Sequence, residues 1–339
     1  MYKLTSRENI QRLIAHDSPE RIGWDFNHPF ESDFIQVDYK KWVAPENPYS
    51  EWGKHEELIR LTGFSGEVRR DDYGNIYGRF NGLTKGECIR GVIQDWEEDF
   101  EKFSLPEPDP TYREELLRQN FAASDKYVVA YGSSLFSLLR DARLMANALA
   151  DTVLEPEWIG AMMDRIVERE KRYIKLLAGC GIDAMFICDD WGIQDRTFIS
   201  PESFKNLFKP WYAKVADALH EVGMKYIVHS CGYNMPFMED FLDAGIDVLQ
   251  FDQPDAYPAE ALAERYGKRT VFWSPVDIQK VLPTGNRELI ENRALEMCNM
   301  FKAVGGGWIA KDYPSYADIG VDEQWAKWAM DVIQANSRQ

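Results

Sequence analysis

His229, Ser230, Cys231 and Gly232 form the segment of this chain whose residue types and spacing point most directly to chemistry. On an extended strand, residues i and i+2 face the same side, so the His229 imidazole and the Cys231 thiol converge on one point. Nitrogen and sulfur donors in that arrangement suit zinc, which takes them tetrahedrally. The plainer reading is a His and a Cys that pack in a core, because zinc motifs normally announce a third and fourth ligand. Cys188, Asp190, Asp252 and Asp312 have the chemistry to complete such a set. Asp190 is the first choice, as ligand or as proton donor. Adjacent residues on an extended chain face opposite ways, so at most one of Asp189 and Asp190 enters a site, and Asp190 shares its parity with Cys188.

Other polar residues recur at comparable places. The first apolar run ends in Asp25, Asn27 and His28, and later runs end in Asp252 and Gln253, in Ser274 and Asp277, and in Lys311, Asp312 and Tyr313. Each carboxylate taken singly reads as a helix cap or an ion-pair partner. Several strands ending the same way point to one rim. Asp190, Asp252, Asp312 and Tyr313 are the candidate catalytic groups. Trp24, Trp191, Trp273 and Tyr313 fall near that rim, where aromatic rings could wall a ligand.

These residues need strands to carry them, and the chain supplies a β-α alternation. Thr5-Ser6-Arg7-Glu8 has capping-box spacing, and Ile10, Leu13 and Ile14 continue it as a short amphipathic helix over 5–16. Strands are expected at 21–26, 127–131, 183–188, 225–230, 247–251, 270–273 and 307–311. Helices fall near 134–150, 155–179, 201–222, 236–244, 258–266, 286–304 and 322–335. Short apolar strands separated by helices are buried on both faces, as in a parallel sheet. The expected fold is α/β: one (β/α)8 TIM-type barrel over 1–339, with an insertion at about 27–125 capping it. That insertion should hold a helix near 51–62 and a hairpin over 66–80 turning at Tyr73-Gly74-Asn75. Seven strands are legible, and the eighth must be short or lie within the insertion. A doubly wound open sheet is the alternative.

Composition excludes other classes. A net charge of −17 argues against nucleic acid, which needs clustered Lys and Arg. No apolar run approaches the ~20 residues of a membrane span, and the N-terminus shows no apolar secretory segment. A cytoplasmic location is the expectation. Five scattered cysteines are not a disulfide framework. Gly305-Gly306-Gly307 leads into a strand and is no phosphate cradle, and Gly132-Ser133-Ser134 is not a nucleophile elbow.

Together these segments resemble the uroporphyrinogen decarboxylase superfamily, and its cobalamin-dependent methyltransferase branch in particular. The likeness runs through the opening Thr-Ser-Arg-Glu-Asn-Ile and the His16 to Asp25 segment, then Asp72-Tyr-Gly-Asn75 and the acidic stretch from Asp95. It continues through Asp189-Asp190-Trp191-Gly192, Ile199-Ser-Pro-Glu-Ser-Phe204, Lys209-Pro-Trp-Tyr212 and His229-Ser-Cys-Gly232, which is similar to the family's zinc-binding His-x-Cys. The resemblance implies a corrinoid-linked, zinc-dependent methyltransferase that moves a methyl group between a small methylated substrate and cobalamin carried by a corrinoid-binding partner protein. Zinc ligands would be His229, Cys231 and Asp190, and Trp24, Asn27, His28 and Trp191 are the positions expected to meet the corrinoid. Two departures stand out. Decarboxylases of the family carry an Arg-rich segment where this chain reads Asp25-Phe26-Asn27-His28-Pro29, and the last strand's Ala310-Lys-Asp-Tyr-Pro-Ser-Tyr316 lacks the Cys that many zinc methyltransferases use. The alternatives are a decarboxylase of tetrapyrrole biosynthesis and a non-catalytic barrel that binds a corrinoid or a partner.

Overall fold

Eight short strands carry a strict alternation of two kinds of neighbour, and that alternation builds the molecule. A computed structural model describes residues 2–37, 42–43, 45–80, 85–258 and 261–338. The strands are β1 (Gly23–Asp25), β2 (Phe34–Val37), β3 (Tyr127–Tyr131), β4 (Ala184–Cys188), β5 (Lys225–His229), β6 (Val248–Gln250), β7 (Val271–Ser274) and β8 (Trp308–Lys311). They form one sheet in the order β1-β8-β7-β6-β5-β4-β3-β2, with every ladder parallel. Residues of one parity, such as Val129, Ala184, Ile227, Val248, Val271 and Ile309, pack together inside the ring. Those of the other parity, such as Val128, Met185, Val228, Leu249, Phe272 and Trp308, pack against the surrounding helices. This two-sided burial is what a parallel barrel demands.

The bottom of the barrel is closed by the first helix, Ser6–Ile14. Thr5 and Glu8 form the capping box, and Ile10, Leu13 and Ile14 join the interior cluster. Burying each such side chain contributes about 1.5–3 kcal/mol. Gly23 permits the approach, since a Cβ there would lie 2.6 Å from Ile10 Cδ1 and 2.8 Å from Ile309.

The eighth strand is β2, four residues long and inside the stretch expected as the insertion, the place the sequence left open for it. Phe34-Ile35-Gln36-Val37 is too short to show a periodicity, and its identity comes from pairing with β3. Between β1 and β2 there is no parallel ladder. That seam is bridged by Asp25 with Ser32 and by the Asp33 amide donating to the Trp24 carbonyl at 2.8 Å. The Asp33 carboxylate also takes the Arg21 guanidinium through two nitrogens and the Trp24 amide.

Beyond β2 the insertion holds the helix Glu56–Thr62 and the expected hairpin, Glu67–Arg70 with Ile76–Arg79. A third strand, Glu87–Arg90, joins the hairpin, and Leu58, Val68 and Ile76 form its small core. The helical stretch expected at 134–150 is two helices, Leu135–Arg143 and Met145–Leu154, broken at Leu144, where φ is +65°. None of the described helices is long and apolar enough to cross a membrane.

Candidate functional site

The carboxyl ends of the strands open on a cavity of about 330 Å³, within the range that encloses small ligands. Inward parity decides what lines it. Val129, Phe186 and Trp273 make its apolar floor, with the Trp273 ring stacked on Phe34 at 4.5 Å. The walls are polar: Asp25, Gln36, Tyr131, Cys188, His229, Gln250, Asp252, Lys311, Asp312 and Tyr313.

At one side of this cavity the ends of β4 and β5 bring three donor groups together. His229 Nε2 lies 3.2 Å from Cys231 Sγ and 3.3 Å from Asp190 Oδ1, and the Cys231 amide donates to Asp190 Oδ1 at 2.8 Å. The donor atoms of the three residues lie within 4.8 Å of one another, the one such cluster of three among the described residues. The loops after β4 and β5 reach this closeness because both are glycine where they touch. A Cβ on Gly232, at φ +78°, would stand 2.3 Å from the Gly192 backbone, and one on Gly192 would stand 2.7 Å from the Tyr233 nitrogen. Nitrogen, sulfur and oxygen donors converging in this way could hold a metal ion.

The electrostatics couple His229 and Asp190 as an ion pair. Burial opposes charge on His229, yet hydrogen bonds with Asp190 and Cys231 hold its imidazole well above the ordinary range. Burial likewise opposes ionisation of Asp190, but the His229 hydrogen bond and charge outweigh it and keep the carboxyl at about 2. Burial lifts the Cys231 thiol, and the Cys188 thiol to about 11. Across the ring, on β1, burial pushes the Asp25 carboxyl up to about 6 against the hydrogen bond from Ser32.

The sequence-expected residues divide. His229, Cys231 and Asp190 meet, while Asp252, Asp312, Tyr313 and Asn27 line the cavity. Asp252 pairs with Lys311 at 2.9 Å, and Asp312 accepts from the Asn27 amide and the Tyr316 hydroxyl. Asp189 turns outward and accepts the Leu135 and Ser137 amides at the start of a helix, plus the Tyr212 hydroxyl. Two of the four positions expected to meet a corrinoid are buried away from the cavity. Trp24 has the parity opposite to Asp25, so it lies outside the barrel with the Arg21 guanidinium 3.8 Å from its ring centroid. Trp191 is fully buried, stacked on Phe136 at 4.1 Å with its indole N–H on Tyr212. His28 is exposed in the loop after β1 and is not among the cavity's lining residues.

Gln36, Tyr131 and Gln250 line the site without having been singled out, and Asp25, read in sequence only as a rim residue, lines it too. Parity held the signal for two of them: Asp25 is i+2 from the tightly packed Gly23, and Gln250 is i−2 from Asp252.

Comparison with known proteins gives three findings. The uroporphyrinogen decarboxylase (URO-D) family model matches residues 130–311. Uroporphyrinogen decarboxylases from two strains of Thermus thermophilus are 29% and 28% identical over 97 residues, which cover 29% of this chain and only 27% of each enzyme. A methyltransferase from Methanosarcina mazei superposes with a TM-score of 0.65 at 14% identity, over 98% of this chain and 99% of that one. At that identity the likeness establishes the fold, a nearly closed (β/α)8 barrel.

Proposed function

The chain belongs to the uroporphyrinogen decarboxylase family, and from that premise we propose that it is a corrinoid-linked methyltransferase. Its substrate would be a small methylated compound seated in the barrel, and the methyl group would pass to or from cobalamin carried by a corrinoid-binding partner protein. The observation that carries this reading is the triad of His229, Cys231 and Asp190 at the edge of the cavity at the strand ends.

The donor set fits zinc. Held by His229 Nε2, Cys231 Sγ and an Asp190 oxygen, zinc would supply Lewis acidity to the heteroatom that bears the methyl group. The chain's own residues do the rest. Trp273 and Phe186 offer an apolar floor for the substrate body, and Tyr131 with Gln36, hydrogen-bonded at 2.6 Å, forms a polar wall that orients it. Asp25 stands on β1, four strands round the barrel from β5, and so faces the triad from across the cavity. A carboxyl held at about 6 keeps a share of its protons near neutrality, so Asp25 can offer or take one at the substrate's far side. Asp252 and Asp312 are hydrogen-bonded into the wall and position their neighbours, and Tyr313 lines the same cavity.

Decarboxylation of a porphyrinogen is the second reading, favoured by the Thermus relatives. The cavity speaks against it. Among the described lining residues Lys311 is the only lysine or arginine, it is already paired with Asp252, and Asp25 and Asp312 add negative charge. A polycarboxylate meets repulsion there.

The test is elemental analysis of protein purified without chelator, followed by anaerobic transfer from a panel of methyl ethers, thioethers and amines to cob(I)alamin. About one zinc per chain is expected, and His229→Ala and Cys231→Ala should each abolish it. Full zinc in both variants, or no methylcobalamin from zinc-replete protein across the panel, would overturn the reading.

A further inference from the structure

A metal ligand must present a lone pair, and a neutral imidazole has only one to give. Which nitrogen of His229 offers it is set by a chain of groups that leads away from the triad. His229 Nδ1 is hydrogen-bonded to Gln250 Oε1, Gln250 Nε2 donates to Asp252 Oδ1 at 2.6 Å, and Lys311 Nζ donates to the same oxygen at 2.9 Å. Gln250 is 3% exposed, Asp252 is 7% exposed, and the Lys311 side chain is 11% exposed, so water does not compete freely for these bonds.

We propose that Lys311, Asp252 and Gln250 form a positioning relay that holds the His229 ring with Nδ1 protonated and Nε2 turned to the metal. The inference rests on the metal-centre reading above. The relay's polarity follows from its far end. A lysine ammonium only donates, so the Asp252 carboxylate beside it accepts. Asp252 then takes the amide NH2 of Gln250, which leaves the Gln250 carbonyl oxygen facing His229. A carbonyl oxygen only accepts, so Nδ1 must carry the hydrogen. Nε2, within 3.3 Å of both Cys231 Sγ and Asp190 Oδ1, is left as the donor atom. A glutamine alone could turn its amide over and reverse the tautomer, and the Lys311–Asp252 pair removes that freedom. Three strands build the device. β5 carries His229, β6 ends in Gln250 and carries on to Asp252 at i+2, and β8 carries Lys311. None of the three positioning residues touches the triad's metal-facing atoms. They act through the imidazole, as residues behind a metal ligand commonly do.

The experiment uses the full-length protein with zinc as the probe, in competition with a chelator of known affinity, and thermal unfolding to show that each variant is folded. Gln250→Leu is expected to weaken zinc by ~10- to 100-fold, the scale seen when the partner behind a ligating His is lost. Lys311→Met, at the cavity wall, should weaken it by ~10-fold through the freed amide, and Lys311→Arg should restore most of the loss. A second readout is independent of metal: a downfield, slowly exchanging ring N–H proton resonance, assigned by its loss in His229→Ala, present in the metal-free protein and gone in Gln250→Leu. Folded Gln250→Leu protein with unchanged zinc affinity would overturn the relay, as would persistence of that resonance in this variant or its absence from the unaltered protein. Presence of the resonance in a protein that takes no zinc would uphold the relay while ending the metal reading.

Discussion

Replacing Asp25 by Asn should flatten part of the protein's pH–stability curve, by an amount that follows from where Asp25 sits. Its carboxyl faces the cavity, accepts one hydroxyl from Ser32 at 2.9 Å, and is pushed by burial from an ordinary 3.8 to about 6. A carboxyl whose folded-state pKa is raised binds protons more tightly in the native than in the unfolded chain. The stability it confers is full below about 3.8 and is lost as pH rises through about 6. Once Asp25 is ionised in both states, its charge costs the native state about 3 kcal/mol. About 2 kcal/mol of this should develop between pH 4.5 and 8. Asn keeps an acceptor for Ser32 but cannot ionise, so Asp25→Asn should gain on the unaltered protein as pH rises. At roughly 2 °C per kcal/mol for a chain of this size, the melting-temperature difference should widen by about 4 °C over that range. Scanning calorimetry of both proteins at matched ionic strength measures it. Parallel curves from pH 4.5 to 8 would refute the buried, uncompensated carboxyl on which the reasoning depends.

Asp190→Asn separates two roles. A ligand's loss should lower zinc affinity by ~10-fold or more, whereas loss of a proton donor should leave zinc in place and slow methyl transfer by ~100-fold. Asp189→Ala, measured by denaturant unfolding, should destabilise by ~2–4 kcal/mol, because it strips two amides and a buried tyrosine hydroxyl of their acceptor, with zinc content unchanged. Arg21→Met should cost ~3–5 kcal/mol by leaving Asp33 charged and unpaired at the seam between β1 and β2, and Arg21→Met with Asp33→Leu should recover much of that. Anaerobic incubation with uroporphyrinogen should yield no coproporphyrinogen, and its accumulation by chromatography would return the decarboxylase reading.

The chain order of apolar runs and helix stops was enough to declare a parallel α/β sheet with a barrel as the first choice over a doubly wound sheet, because parallel strands covered on both faces must be short, continuous and apolar. The pairing of His229 with Cys231 was equally local, since the period of two along a strand acts before any tertiary contact. Parity along β1 also held the information that Trp24 turns away once Asp25 turns in. What no local rule could supply was which strands become neighbours and how far each runs past its last hydrogen bond. β2 is a strand only because β3 offers it a ladder. Asp190 reaches His229 only because two glycines let the loops after β4 and β5 press together. Gln250 and Lys311, on β6 and β8, join one network through Asp252 because closing the sheet turns their strand ends toward a shared interior. Trp191 reads in sequence as a rim residue beside an acid, yet the same closure packs it against Phe136 and Tyr212. A side chain's neighbours along the chain follow from backbone geometry that every strand shares, whereas its neighbours across the barrel depend on the register and closure of the whole sheet.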